Sequence, residues 1–131
     1  MPSTGDPRIV AMADQGYPFG DALIPESFDE HTIIFLVRPP DAPQFSEEEL
    51  DRLQEEHLAY LRGLKRRGVL ITNGPLTEQT DERFRGVGIY RLPLDEALEL
   101  ARADPMVRAG RLAVDGARWL TQSGTARFGR D

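Results

Sequence analysis

His57 stands seven residues after Leu50, four after Leu53, four before Leu61 and seven before Leu64. On an α-helix those offsets stack on one face, so the imidazole points where the leucines point, toward an interior. An imidazole in that position needs partners for both ring nitrogens, and it can take or release a proton near neutral pH. Taken alone, such a histidine is most often a core residue bonded to a backbone carbonyl. Three other residues have chemistry to offer. Tyr60, three residues further on, lies close to the same face, where it either lines a pocket through its hydroxyl or packs in the core. Thr72 and Asn73 stand at a strand end beside Gly74-Pro75, placed either to bond a substrate or to hold a turn.

Other chemistries find no support. The chain has no cysteine, which removes thiolate catalysis, disulfides and Cys-based metal sites and fits a reducing, cytoplasmic setting. His31 and His57 do not make a His-x-x-x-His spacing, no Gly-x-Ser-x-Gly elbow occurs, and Gly86-Val87-Gly88 lacks the third glycine of a dinucleotide fingerprint. That last segment reads as easing a strand bend. No metal and no cofactor are expected. A net charge of −6 argues against a nucleic-acid or anionic-membrane surface. Lys65-Arg66-Arg67, the one basic run, suits the negative end of a helix dipole. No apolar run approaches the roughly 20 residues of a membrane span. The first residues lack the pattern of a secretory signal.

The elements that must position His57 follow from local signals. Residues 1–30 are rich in proline and glycine and read either as an extended N-terminal arm, anchored by Tyr17, Phe19, Leu23 and Ile24 on the body or a neighbouring subunit, or as a loose tail. Thr32–Val37 is a β-branched and aromatic run of strand length, ended by Pro39-Pro40. Ser46 with Glu49 forms a Ser-x-x-Glu capping box, three glutamates complement the helix start, and Gly68 stops the helix. Val69–Thr72 is a second strand closed by a turn at Asn73-Gly74-Pro75. Val87–Leu92, with a start as early as Phe84, is a third. Pro93 and Asp95 open a second helix with Leu94, Ala97, Leu98 and Ala101 inward, and Asp104-Pro105 ends it. A turn through Met106, Val107 and Gly110 leads to a final strand marked by Leu112, Val114, Trp119 and Leu120, bent near Gly116.

The order strand, helix, strand, strand, helix, strand is that of an α+β, ferredoxin-like split β-α-β (βαββαβ) domain over 31–122, with a polar tail at 123–131. Such a domain has an antiparallel sheet with both helices on one face. Its other face carries apolar residues, so a homodimer joined through the sheet faces is expected.

The chain resembles the YciI-like (YCII-related) proteins. The resemblance rests on His57-Leu58 in the first helix, on Gly68-Val69-Leu70-Ile71-Thr72-Asn73-Gly74-Pro75, and on Asp104-Pro105 with Ala109-Gly110, over roughly residues 32 to 120. It implies a dimeric α/β-barrel type assembly with a pocket beside the first helix and a His–Asp pair mapping onto His57 and Asp104. It also implies proton-transfer chemistry on small cyclic oxygenated compounds. Where some members carry arginine three residues before the histidine, this chain has Gln54, which removes a positive charge. Where members often have an aromatic residue after Asp-Pro, Met106 offers an adaptable apolar wall.

A carboxylate on one imidazole nitrogen would fix the tautomer and steady the imidazolium, leaving the other nitrogen to shuttle a proton, a role worth about 10²–10⁴ in rate. Asp104 equally suits a helix-end hydrogen bond of its own. The resulting expectation is a cofactor-independent lyase or isomerase with His57 and Asp104 catalytic, and with Tyr60, Thr72, Asn73 and Met106 at the substrate. The alternative is a non-catalytic dimeric module that binds a small molecule or a partner.

Overall fold

The computed structural model describes residues 6–8 and 27–129. They divide into two compact units, one of residues His31–Arg118 and one formed by the described residues of the two chain ends, 6–8 and 27–30 with 119–129. The elements are β1 (Phe28–Val37), α1 (Glu47–Arg66), β2 (Leu70–Pro75), β3 (Phe84–Tyr90), α2 (Leu94–Arg102), α3 (Pro105–Arg108) and β4 (Ala113–Gln122). The four strands make one sheet in the order β2-β3-β1-β4, and β3 runs antiparallel to both β1 and β2.

Helix α1 begins and ends on the expected signals. The Ser46 hydroxyl accepts from the Glu49 N–H at 3.2 Å, and the Glu49 carboxylate accepts from the Ser46 N–H at 3.2 Å. The helix closes where Gly68 adopts φ 76°, a left-handed conformation that costs glycine little. Ile34, Leu61, Leu64, Leu70, Tyr90, Ala97 and Ala101 form one buried cluster, so α1 and α2 share a core with the three strands β1, β2 and β3. A second cluster of Leu53, Met106 and Leu112 ties α3 to α1.

Several local expectations change. Asn73-Gly74-Pro75 is not a turn but the end of β2, paired with Gly88, Val87 and Gly86. A proline is tolerated there because β2 is an edge strand, whose outer side needs no ladder N–H. β3 ends at Tyr90 rather than Leu92. Residues 105–108, within the expected short turn, form one turn of helix capped by Asp104. β1 starts at Phe28, so the last residues of the expected arm are strand; the anchors Tyr17, Phe19, Leu23 and Ile24 lie outside the described residues.

β4 runs unbroken through Gly116. A Cβ at that position would lie 2.9 Å from Leu94 Cδ1, 3.0 Å from Ile34 Cδ1 and 3.1 Å from the Ile33 carbonyl oxygen. The glycine therefore serves the close approach of α2 to the sheet.

Within the unit of chain ends, the Arg8 guanidinium donates to both Asp6 and Glu30, and the Gly124 N–H donates to the Asp29 carboxylate at 2.8 Å. No helix among the described residues is long and apolar enough to cross a membrane.

Candidate active site

Asp104 follows the last turn of α2, and Pro105 sets its backbone in an extended conformation, φ −60° and ψ 132°. Its side chain then points back under α1 and is only 2% exposed. Oδ1 accepts the Met106 N–H at 2.9 Å, and Oδ2 lies 2.6 Å from Nδ1 of His57. One oxygen caps the start of α3, and the other meets the histidine.

When the carboxylate is ionised it only accepts, so Nδ1 then carries the shared proton and a neutral ring has its lone pair on Nε2. Nε2 has no hydrogen-bond partner among the described residues. The His57 side chain is 12% exposed, enough to reach a small molecule and too little to be bathed in water.

His57 and Asp104 line a cavity of about 230 Å³. Its floor is the helix-facing side of the sheet. Ile34 and Leu36 on β1 stand opposite Gly88 and Gly86 on β3, and all four line the cavity. The two glycines supply no side chains on this face, which keeps the floor low. A Cβ on Gly88 would come within 3.1 Å of Tyr90 Cε1 and 3.3 Å of Leu70 Cδ1. Gly86 and Gly88 thus open space instead of merely easing a bend, as the sequence had suggested.

Of the residues expected at the substrate, Asn73 and Met106 line this cavity, while Tyr60 and Thr72 do not. Tyr60 spends its hydroxyl on the Leu100 carbonyl at 2.7 Å, holding α2 to α1. Burial, with Asp104 adding to it, raises the pKa of that phenol. Thr72 is turned away by a β-bulge: Leu70 pairs with Tyr90 and Thr72 with Ile89, two residues of advance against one. The extra residue reverses the alternation, so Asn73 and not Thr72 shares the face of Leu70. The Oδ1 atom of Asn73 is buried with no partner.

Tyr90 also lines the cavity and went unanticipated. Its hydroxyl has no hydrogen-bond partner among the described residues. Burial, reinforced by Tyr60 and Asp104, pushes its pKa well up, so it remains a protonated donor. Arg38, Arg85 and Arg111 line the cavity as well. The glutamine at Gln54 therefore does not leave the site without cations. Arg38 was legible, since it continues the alternation of Ile34 and Leu36. Arg111 was not, because it belongs to the connection between α3 and β4.

No curated protein matches the sequence. Among solved structures, 5-chloro-2-hydroxyhydroquinone dehydrochlorinase (TftG) from Burkholderia phenoliruptrix AC1100, in complex with 2,5-dihydroxybenzoquinone, is similar at 25% identity and a TM-score of 0.49. The match covers 68% of this chain and 92% of that one. The model of the YCII-related domain matches residues 33–115, a span that holds β2, β3, all three helices, His57 and Asp104. With well over half of its length matched, this chain belongs to the YCII-related domain family.

Proposed function

We propose that the chain is a cofactor-independent lyase or isomerase that moves a proton on a small cyclic oxygenated compound. The observation that carries this reading is the 2.6 Å contact between His57 Nδ1 and Asp104 Oδ2 at the wall of a mostly apolar cavity. Nε2 takes a proton from a carbon next to a carbonyl, and the C–H electron pair moves toward the carbonyl oxygen. The imidazolium that forms is stabilised by the carboxylate already in contact with it. Returning the proton to another carbon completes an isomerisation, and expulsion of an anionic leaving group completes an elimination. In this reading Tyr90 and Asn73 bond the substrate oxygens and Met106 forms an apolar wall, roles supported by their presence in the cavity lining. The volume exceeds the roughly 150 Å³ cavity that holds benzene, which leaves room for a substituted six-membered ring.

We further propose a ferredoxin-like homodimer of the dimeric α/β-barrel type. Ile33, Phe35 and Val87 share the sheet face opposite Ile34, Leu36 and Gly88 and are only partly covered. A second copy placed against that face would complete their burial. Phe35→Glu is expected to yield a folded monomer in sedimentation; an unchanged dimer, or a monomeric native chain, contradicts the arrangement.

The catalytic reading is tested by solvent-deuterium exchange at the acidic ring carbons of cyclic hydroxyketones, followed by NMR. The native protein is expected to accelerate exchange, and His57→Ala to abolish the acceleration with the fold intact. Equal exchange in the variant, or none above buffer in the native protein, counts against it.

A further inference from the structure

Three guanidinium groups, Arg38, Arg85 and Arg111, line the same cavity as His57, against the single carboxylate of Asp104. That carboxylate is already occupied by His57 and the Met106 N–H. The three arginines come from separate segments that meet at one end of the sheet. Arg38 follows the end of β1, Arg85 lies near the start of β3, and Arg111 precedes β4. None of them has an ion-pair partner among the described residues, although the chain as a whole carries a net charge of −6. The hydrogen bonds they do make are to backbone carbonyls: Arg38 Nε donates to Arg111 O at 3.1 Å, and Arg85 donates to Glu82 O at 3.2 Å.

The same three arginines also line a second, wider cleft together with Pro39, Pro40, Ala42, Pro43, Gln44 and Phe45, and Glu82 and Arg83 line it too. They are the lining residues that the cleft and the cavity share. Arg83 is already paired with Asp81 at 2.7 Å. Unpaired like charges brought together are unfavourable, and Arg38 shows it. Burial first, then Arg111 and Arg85, lower its pKa. An anion seated among them relieves both the repulsion and the unmet donor capacity, and guanidinium forks match carboxylate oxygens in pairs.

We infer that Arg38, Arg85 and Arg111 form a carboxylate-binding subsite at the cavity mouth, so that the substrate is a cyclic oxygenated compound bearing a carboxylate. The charged group is held at the mouth while the ring extends over the glycine floor toward His57. This deepens the proton-transfer reading and rests on it for the role of the ring, but binding and turnover report on the two separately.

The experiment measures calorimetric binding of benzoate and of its uncharged counterpart benzamide to the native protein, Arg85→Met, Arg111→Met and His57→Ala. Arg38 is left unchanged because its bond to Arg111 O helps hold the connection to β4. Benzoate is expected to bind the native protein about ten-fold more tightly than benzamide, the size of one charge-assisted contact. Each arginine variant is expected to erase most of that preference while its benzamide affinity holds, and His57→Ala is expected to keep the preference. Equal affinities for the two probes in the native protein, or a preference unchanged in both arginine variants, overturns the subsite. Inorganic phosphate serves as a ring-free probe: if it binds as tightly as benzoate, the arginines form a surface anion patch and the subsite is likewise overturned. A benzoate preference that survives while His57→Ala leaves deuterium exchange intact would sink the proton-transfer reading and leave the subsite standing.

Discussion

Asp104 touches His57 with one oxygen, at 2.6 Å from Nδ1, and starts α3 with the other, at 2.9 Å from the Met106 N–H. The carboxylate in contact with the imidazole is therefore held by the backbone of a helix that also brings Met106 into the cavity wall. Rotating this side chain to release the histidine would also uncap the helix.

That double duty separates two substitutions. Asp104→Asn can keep the cap through its amide oxygen while presenting N–H to His57, which forces Nδ1 to accept and places the ring proton on Nε2. It is expected to fold with stability close to native and to lower turnover by about 10²–10⁴. Asp104→Ala loses the cap as well and should be less stable than Asp104→Asn by about 1 kcal/mol. Denaturant unfolding of both variants, alongside their exchange rates, checks the pairing of effects; full activity in Asp104→Asn contradicts it.

The bulge in β2 predicts a contrast between neighbours. Asn73→Ala should raise KM by about three- to ten-fold, the value of one hydrogen bond. It should cost little stability, because its Oδ1 is buried without a partner. Thr72→Val should leave KM unchanged, since Thr72 is exposed away from the cavity. The reverse pattern in steady-state kinetics would mean that the strand presents its other face.

Gly116 tests how α2 is seated. Gly116→Ala forces a Cβ into Leu94, Ile34 and the Ile33 carbonyl, and overpacking of this kind costs about 1–3 kcal/mol. A fall of that size in thermal unfolding is expected, and native stability in the variant would rule out the close approach.

Tyr90 sets an alkaline limit. Its folded pKa is raised, chiefly by burial, so the folded state holds the phenol proton more tightly than the unfolded chain does. The stabilisation is complete below the unfolded value of about 10 and is lost as pH rises from there through the folded pKa. Thermal unfolding from pH 8 to 11 should show this loss in the native protein and less of it in Tyr90→Phe. An identical decline in both proteins would place the titration elsewhere.

Much of what positions the site was legible in the residues. Ser46 and Glu49 mark the start of α1, Gly68 marks its end, and the offsets from Leu53 to Leu64 place His57 on the buried face. Asp104-Pro105 marks a chain reversal whose side chain has a defined direction. What stayed hidden depends on pairing between distant segments. The bulge at Leu70/Thr72 exists only against β3, and it decides that Asn73 reaches the cavity and Thr72 does not. Pro75 reads as a turn until β2 is known to be an edge strand. The hydroxyl of Tyr60 is claimed by Leu100, forty residues away in sequence. Arg111 joins Arg38 and Arg85 only because β4 begins beside the end of β1.

The proposed mechanism requires Asp104 to leave His57 with an unprotonated Nε2 facing the cavity. ¹⁵N NMR of the histidine ring at a pH where the imidazole is neutral tests it most directly, in the native protein and in Asp104→Asn. A proton on Nδ1 is expected in the native protein, with its transfer to Nε2 in the variant. A native ring protonated on Nε2, or a tautomer indifferent to the substitution, would contradict it.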